Sequence, residues 1–311
     1  MGTPEFAVPS LEILIERGER IAAVVTQPDR PQGRGKRVTP PPVKVLAERH
    51  GLPVLQPERA RRAPFPADLR ALAPDLVVVV AYGQILSREV LDIPPLGTIN
   101  VHASLLPRWR GAAPINWAIA AGDARTGVTT MLLNEGMDAG EMLLRAEVPI
   151  TAETTAEALT PELARLGAGV LGRTLDALAA GTLRPEPQDE AQVTFAPLLK
   201  KEDGFLDLNQ SADRVVRRIH AMTPWPGSVV RLGGEPFKLF RAKISDEQAW
   251  TAPPGEIIAV GRDLFSVAVA GGEAIDILEV QAPGKRRMRA AEWLAGHRPH
   301  AGERLERMEP A

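Results

Sequence analysis

The sequence predicts an α/β fold built on a parallel sheet and followed by a small β-barrel. In the first half, short β-branched runs alternate with helical stretches, the pattern of a parallel α/β sheet. Beyond Gly181–Glu190 the texture changes to short strands separated by Gly and Pro turns, spaced as in a small barrel. Length agrees, since 311 residues exceed one average domain. The predicted boundaries are a first domain over 1–181, a linker over 182–200 and a second domain over 201–311.

Taken in order, the first-domain strands are Ile21–Thr26, Leu76–Ala81, Gly97–His102 and Val128–Leu133. The helices between and after them are Val8–Glu16, Pro42–His50, Ala112–Ala121 and a long one from Thr155 towards Ala180. Pro161 lies inside the last and is expected to kink it or reset its start, because it has no N–H to donate. The linker segment GTLRPEPQDE is polar with two prolines. The barrel strands are Gly227–Arg231, Pro236–Ala242, Gly255–Val260, Leu264–Ala268 and Ala274–Val280.

Composition excludes several chemistries. Cysteine is absent, so disulfides, thiolate nucleophiles and zinc–thiolate sites are impossible. Apolar residues at 44% and charged residues at 24% suit a globular protein with a sizeable core. The first twenty residues carry acidic side chains and no long apolar run, so they do not read as a secretory signal, and no stretch is apolar enough for a membrane span. Phe6 stands where an N-myristoylation signal needs Ser or Thr. Cytoplasmic location is expected. Net charge is −2, yet Arg30, Arg34, Lys36, Arg37 and Lys44 form a basic run with no acid between Arg30 and Ala47. Lys285, Arg286, Arg287 and Arg289 form another. Either run is equally readable as a solvated surface loop.

The most informative stretch is GTINVHASLLPRWRGAAP, Gly97–Pro114. Asn100 and His102 are two apart on a predicted strand and project from one face. They stand at the strand's carboxyl end, where ligands gather in open α/β sheets. In NEGMDAGEM, Asp138 lies in a glycine-flanked loop able to turn a carboxylate inward. Together the three suit acyl transfer to an amine. Asn100 can donate to a tetrahedral oxyanion, a contact worth roughly 2.7–4 kcal/mol. His102 can take up the amine's proton, and Asp138 can orient the ring. Taken singly, each has a plainer reading: a structural histidine, a turn-forming asparagine and an ordinary loop acid. Pattern alone leaves both open.

The same residues carry a resemblance. GTINVHASLLPRWRGAAPINWA and GVTTMLLNEGMDAGEM resemble the formyltransferase family, and SLLPRWRGAAP resembles its methionyl-tRNA formyltransferase branch. The likeness extends over nearly the whole chain, through Thr26–Pro57, Val77–Leu86 and the PWPG at Pro224–Gly227. It implies a Rossmann-like formyltransferase domain and an oligonucleotide-binding-type barrel. Asn100, His102 and Asp138 match the family's catalytic triad. Ser104, Leu105, Leu106 and Pro107 match the folate-contacting segment, with Tyr82, Gly83 and Ile85 completing the pterin pocket. The implied donor is 10-formyltetrahydrofolate, with no metal. The implied acceptor is initiator methionyl-tRNA, gripped through Arg34, Lys36 and Arg37 and, on the second domain, through Lys200, Lys201, Lys285 and Arg286. A monomer is expected. A phosphate-binding P-loop is excluded at this loop, because positions 30 and 37 are both Arg.

The chain departs from the family in opening directly on the GTPEF motif, where the family places a short apolar strand first. A natural start several codons upstream is therefore expected. The competing readings are a sugar-amine formyltransferase or formyl-folate hydrolase, and a folate- or RNA-binding module without catalysis.

Overall fold

The computed structural model describes residues 1–32, 37–246 and 251–309. The chain divides into two compact units. The first comprises Met1–Gly111, Thr126–Val148 and Thr160–Ala196; the second comprises Ala112–Arg125, Pro149–Leu159 and Pro197–Ala311. No helix of the described residues is long and apolar enough to cross a membrane.

The first unit is organised on the strand Thr98–His102, whose five residues are all buried. It runs parallel to Val77–Val79, with Val79 opposite Asn100, and antiparallel to Arg125–Leu132, with His102 opposite Thr129. Met142–Pro149 completes this four-stranded sheet. That last strand was not anticipated from sequence. It is an edge strand whose burial alternates, with charged Arg145 and Glu147 interleaved. Val24–Val25 and Val54–Leu55 form a separate parallel pair.

Among the described residues, Met1 and Gly2 lie between that pair and Val77–Val79. Gly2 N donates to Val25 O at 2.9 Å, Val80 N donates to Met1 O at 2.9 Å, and the Met1 amine donates to Val78 O at 2.6 Å. Enclosure of that amine pushes its pKa from 8.0 down to about 5. Beside Met1 opens a cavity of about 300 Å³ lined by Leu11, Leu14, Ile21, Leu76 and Leu175, among others. Residues 21–23 face this cavity, and among the described residues no strand lies beside them. This is why the strand predicted over Ile21–Thr26 shrinks to Val24–Val25.

The helices Val8–Glu16 and Pro42–Arg49 carry proline in their first two positions, where its missing N–H has no intrahelical partner to lose. Ala156–Ala179 runs on through Pro161 without the predicted reset. Proline there frees the carbonyl of Glu157, an exposed residue, so water can satisfy it. Residues 182–196 do more than connect. Glu186 exchanges two 2.8 Å backbone bonds with Met142, and Phe195–Ala196 pairs in parallel with Arg110–Gly111.

The second unit holds a seven-stranded antiparallel sheet whose path runs from Ile257–Val260 through Phe265–Ala268, Ala274–Gln281, Glu235–Ile244 and Ser228–Leu232 to Leu305–Arg307, with Met288–Arg289 pairing Ala274–Gln281 beside that path. Its two end strands meet at a Glu256–Arg304 bridge, where Leu305 N donates to Gly255 O at 2.7 Å, so the sheet curls on itself. Trp293 fills the interior, its ring 5.0 Å from Phe237 and 5.5 Å from Phe265. Helix Ala212–Ala221 covers the sheet through Val215, Val216 and Ile219. Helix Pro114–Ala121 belongs to this unit, and its Asn116 Nδ2 donates to Ala221 O at 2.7 Å.

Candidate active site

The strand Thr98–His102 delivers Asn100 and His102 on one face, both buried at under a tenth of full exposure. Two other segments complete the site around the imidazole. The first is the turn after the strand. Ser104 Oγ donates to Arg108 O at 2.7 Å, Thr129 Oγ1 donates to Ser104 O at 2.8 Å, and Leu106 N donates to Thr129 Oγ1 at 3.2 Å. This places the Trp109 carbonyl 2.9 Å from His102 Nε2. A carbonyl only accepts, so Nε2 carries a proton, and a neutral ring leaves Nδ1 bare.

The second segment is the loop after Arg125–Leu132. Gly140 closes it, and a Cβ there would stand 1.7 Å from Leu132 O, so no larger residue fits without moving backbone. Asp138 adopts a left-handed backbone, φ +46°, which non-glycine residues rarely hold. Its Oδ2 accepts from Gly111 N at 2.9 Å and lies 3.6 Å from His102 Nδ1. The last distance is longer than a hydrogen bond and within ion-pair reach of a ring that has taken up a proton. His102 thus has one fixed N–H and one nitrogen that can bind and release a proton beside a carboxylate.

The other predicted residues fall as follows. Ser104 and Leu106 are buried, the serine hydroxyl engaged with its own turn, while Leu105 and Pro107 are half-buried at the surface of the site segment. Tyr82, Gly83 and Ile85 follow Val77–Val79, whose carboxyl end lies beside that of Thr98–His102. Tyr82 is 2% exposed with an unpartnered hydroxyl, and burial pushes its pKa up to about 12; Ile85 is 75% exposed. Arg34 and Lys36 lie outside the described residues. Arg37 opens the strand Arg37–Thr39, which pairs with Arg30–Gln32 as a hairpin. At its base Lys44 donates to both oxygens of Asp29, at 3.0 and 2.8 Å. Bonds from Gln56 and then Lys44 hold the Asp29 carboxyl below its usual range. On the second unit Lys200, Lys201, Lys285 and Arg286 are all exposed. Arg286 pairs with Glu292 at 2.6 Å, and Arg287 bonds Glu157 and Glu279.

Sequence reasoning missed the main-chain members, Trp109 O and Gly111 N, because any residue type presents those groups. It also missed Arg110, and Gln188 and Glu190 on the stretch that reads as linker: Gln188 donates to Asp138 O, and Gln188 and Glu190 both accept from Arg110.

A family model described as formyl transferase matches residues 1–175, and one described as formyl transferase, C-terminal domain, matches residues 198–298. A methionyl-tRNA formyltransferase of Citrifermentans bemidjiense is 50% identical over 302 residues, covering 97% of this chain and 94% of that one. Among solved structures, the sugar 3N-formyl transferase WlaRD, in the presence of dTDP and 5-N-formyl-THF, superposes with a TM-score of 0.67 at 14% identity, over 92% of this chain and 97% of that one. HypX from Aquifex aeolicus in complex with tetrahydrofolic acid matches with a TM-score of 0.57 at 23% identity, covering 74% of this chain but only 39% of HypX. At those identities the two structures attest the fold alone. Two family models in order along most of the sequence, together with half-identity to a relative over nearly the full length of both chains, mean that the chain belongs to the formyl transferase family.

Proposed function

We propose that this chain transfers a formyl group from 10-formyltetrahydrofolate to the amino group of methionyl-tRNA, with the initiator tRNA as its preferred acceptor. The observation that carries the reading is 50% identity to a methionyl-tRNA formyltransferase across both units. The reaction forms a C–N bond between the amine and the formyl carbon and breaks the bond from that carbon to the carrier nitrogen. The amine gives up one proton and the carrier nitrogen gains one, so no net proton is consumed.

Asn100, His102 and Asp138 divide that work. The Asn100 amide donates to the oxyanion formed on attack. His102, its Nε2–H directed at Trp109 O, relays the proton through Nδ1. Asp138 stabilises the ring while it is charged. Leu105, Pro107 and the Tyr82–Ile85 turn border the place for the pterin, and Ser104 and Leu106 shape that segment from beneath. Residues 1–181 carry the chemistry, 182–196 brace the first unit on the way to the second, and the tRNA is held from Lys200 onward by Lys200, Lys201, Lys285 and Arg286, aided by the Arg34–Arg37 segment. The protein acts as a cytoplasmic monomer.

The test is an acceptor panel. The chain is incubated with 10-formyltetrahydrofolate and either charged initiator tRNA, charged elongator tRNA, a nucleotide-linked amino sugar, or water alone. Formylmethionyl-tRNA is the expected product. Formylated sugar or free formate in its place would overturn the reading.

A further inference from the structure

We infer that Gln188 is a positioning residue that fixes the Asp138 carboxylate against His102. Resting on the reaction proposed above, the inference comes from a closed ring of hydrogen bonds within the first unit. Gln188 Nε2 donates to Asp138 O and to Gly140 O, each at 2.7 Å. Its Oε1 accepts from Arg110 Nε at 2.9 Å. The residue after Arg110 is Gly111, whose N–H returns to Asp138 Oδ2 at 2.9 Å. The ring therefore holds Asp138 by its main-chain carbonyl on one side and by its carboxylate on the other.

The chemistry of the network admits one orientation of the amide. Both carbonyls of the loop need donors, and the guanidinium needs an acceptor, so a flipped Gln188 would oppose two carbonyls with oxygen and the cation with NH₂. Both amide hydrogens and the oxygen are thereby engaged. Arg110, only 5% exposed, is itself held by Glu190 through Nη2–Oε1 at 2.7 Å and Nη1–Oε2 at 3.3 Å. Two residues before Gln188, the Glu186–Met142 backbone exchange sets the segment's register on the neighbouring strand. The left-handed backbone of Asp138 carries a conformational cost that these hydrogen bonds help offset. At 3.6 Å from Nδ1, a small displacement of Oδ2 changes how strongly the carboxylate supports a charged ring.

The test compares Gln188→Ala and Gln188→Glu with wild type and Asp138→Asn, reading kcat, KM for both substrates and the pH dependence of kcat. Gln188→Glu keeps size and a partner for Arg110 but opposes a carboxylate to two carbonyls, so it is expected to fail with Gln188→Ala. Both are expected to lower kcat about 10- to 100-fold, leave either KM within about twofold, and move the pH at which kcat falls. In the Asp138→Asn background, Gln188→Ala is expected to cost little more, because its effect runs through the carboxylate. Equal losses in the two backgrounds would overturn the inference. So would a Gln188→Glu enzyme with wild-type kcat and pH profile, or an effect confined to KM. Loss of activity in wild type or its retention in Asp138→Asn would instead count against the underlying reaction.

Discussion

His102 is held on one side by a carbonyl and faces a carboxylate on the other, which gives the single residues of the site separable consequences. Asn100→Ala is expected to lower kcat by about 10²–10³-fold with little change in either KM, because an oxyanion donor acts only in the transition state. Steady-state kinetics with both substrates checks it, and a change confined to KM would contradict it. Elsewhere, His220 is 2% exposed, and its Nε2 accepts from Ala242 N at 3.4 Å, which only a neutral ring can do. Burial lowers its pKa from 6.5. The unfolded ring binds its proton as pH falls through 6.5 and the folded ring only later, so stability is full above that pH and declines below it. Denaturant midpoints at about pH 7.5 and 5.5 should therefore differ more for wild type than for His220→Gln. An equal drop in both would contradict the assignment. At this scale, Asn100, His102 and Asp138 could be singled out by residue type and spacing, while their proposed roles came from the family resemblance and not from the pattern. Trp109 and Gly111 were not, since they act through main-chain atoms, and Gln188 was hidden by prolines on a segment whose composition reads as a connection.

Elements place those residues, and glycine positions show how narrowly. Gly140→Ala would press its Cβ against the Leu132 carbonyl at 1.7 Å and push the Asp138 loop off the sheet. Lower thermal stability together with lower kcat is expected. Gly136→Ala, in the same loop, meets only the Ala139 Cβ at 2.9 Å and the Asn134 side chain at 3.2 Å and should lose far less of both. Thermal melts and turnover of the two variants decide it, and equal losses would show that the loop is not seated as described. Thr98–His102 and Val77–Val79 were readable as buried β-branched runs. Ala212–Ala221 was overlooked although Ala212, Val215, Val216 and Ile219 repeat at helical spacing, because the Gly–Pro texture around it directs the reading to strands. Val24–Val25 is shorter than its sequence promises, because a strand needs a neighbour and residues 21–23 border a cavity.

Across the whole molecule, charge is nearly balanced at −2, so the proposed tRNA binding rests on local basic faces rather than bulk attraction. Affinity for methionyl-tRNA should weaken steeply between about 50 and 200 mM salt, as phosphate contacts demand, while KM for the folate changes little. Filter binding at both concentrations checks this, and a salt-independent affinity would contradict it. The two-part organisation was legible from the change of texture after Gly181. The membership of 112–125 and 149–159 in the second unit was not, because packing partners so distant in sequence leave no local signal. The measurement that tests the central claim most directly is single-turnover formyl transfer by wild type and His102→Ala, with tRNA affinity measured on the same preparations. The account predicts unchanged affinity and a transfer rate lowered by about 10²–10⁴-fold. Transfer at the wild-type rate by His102→Ala would contradict it.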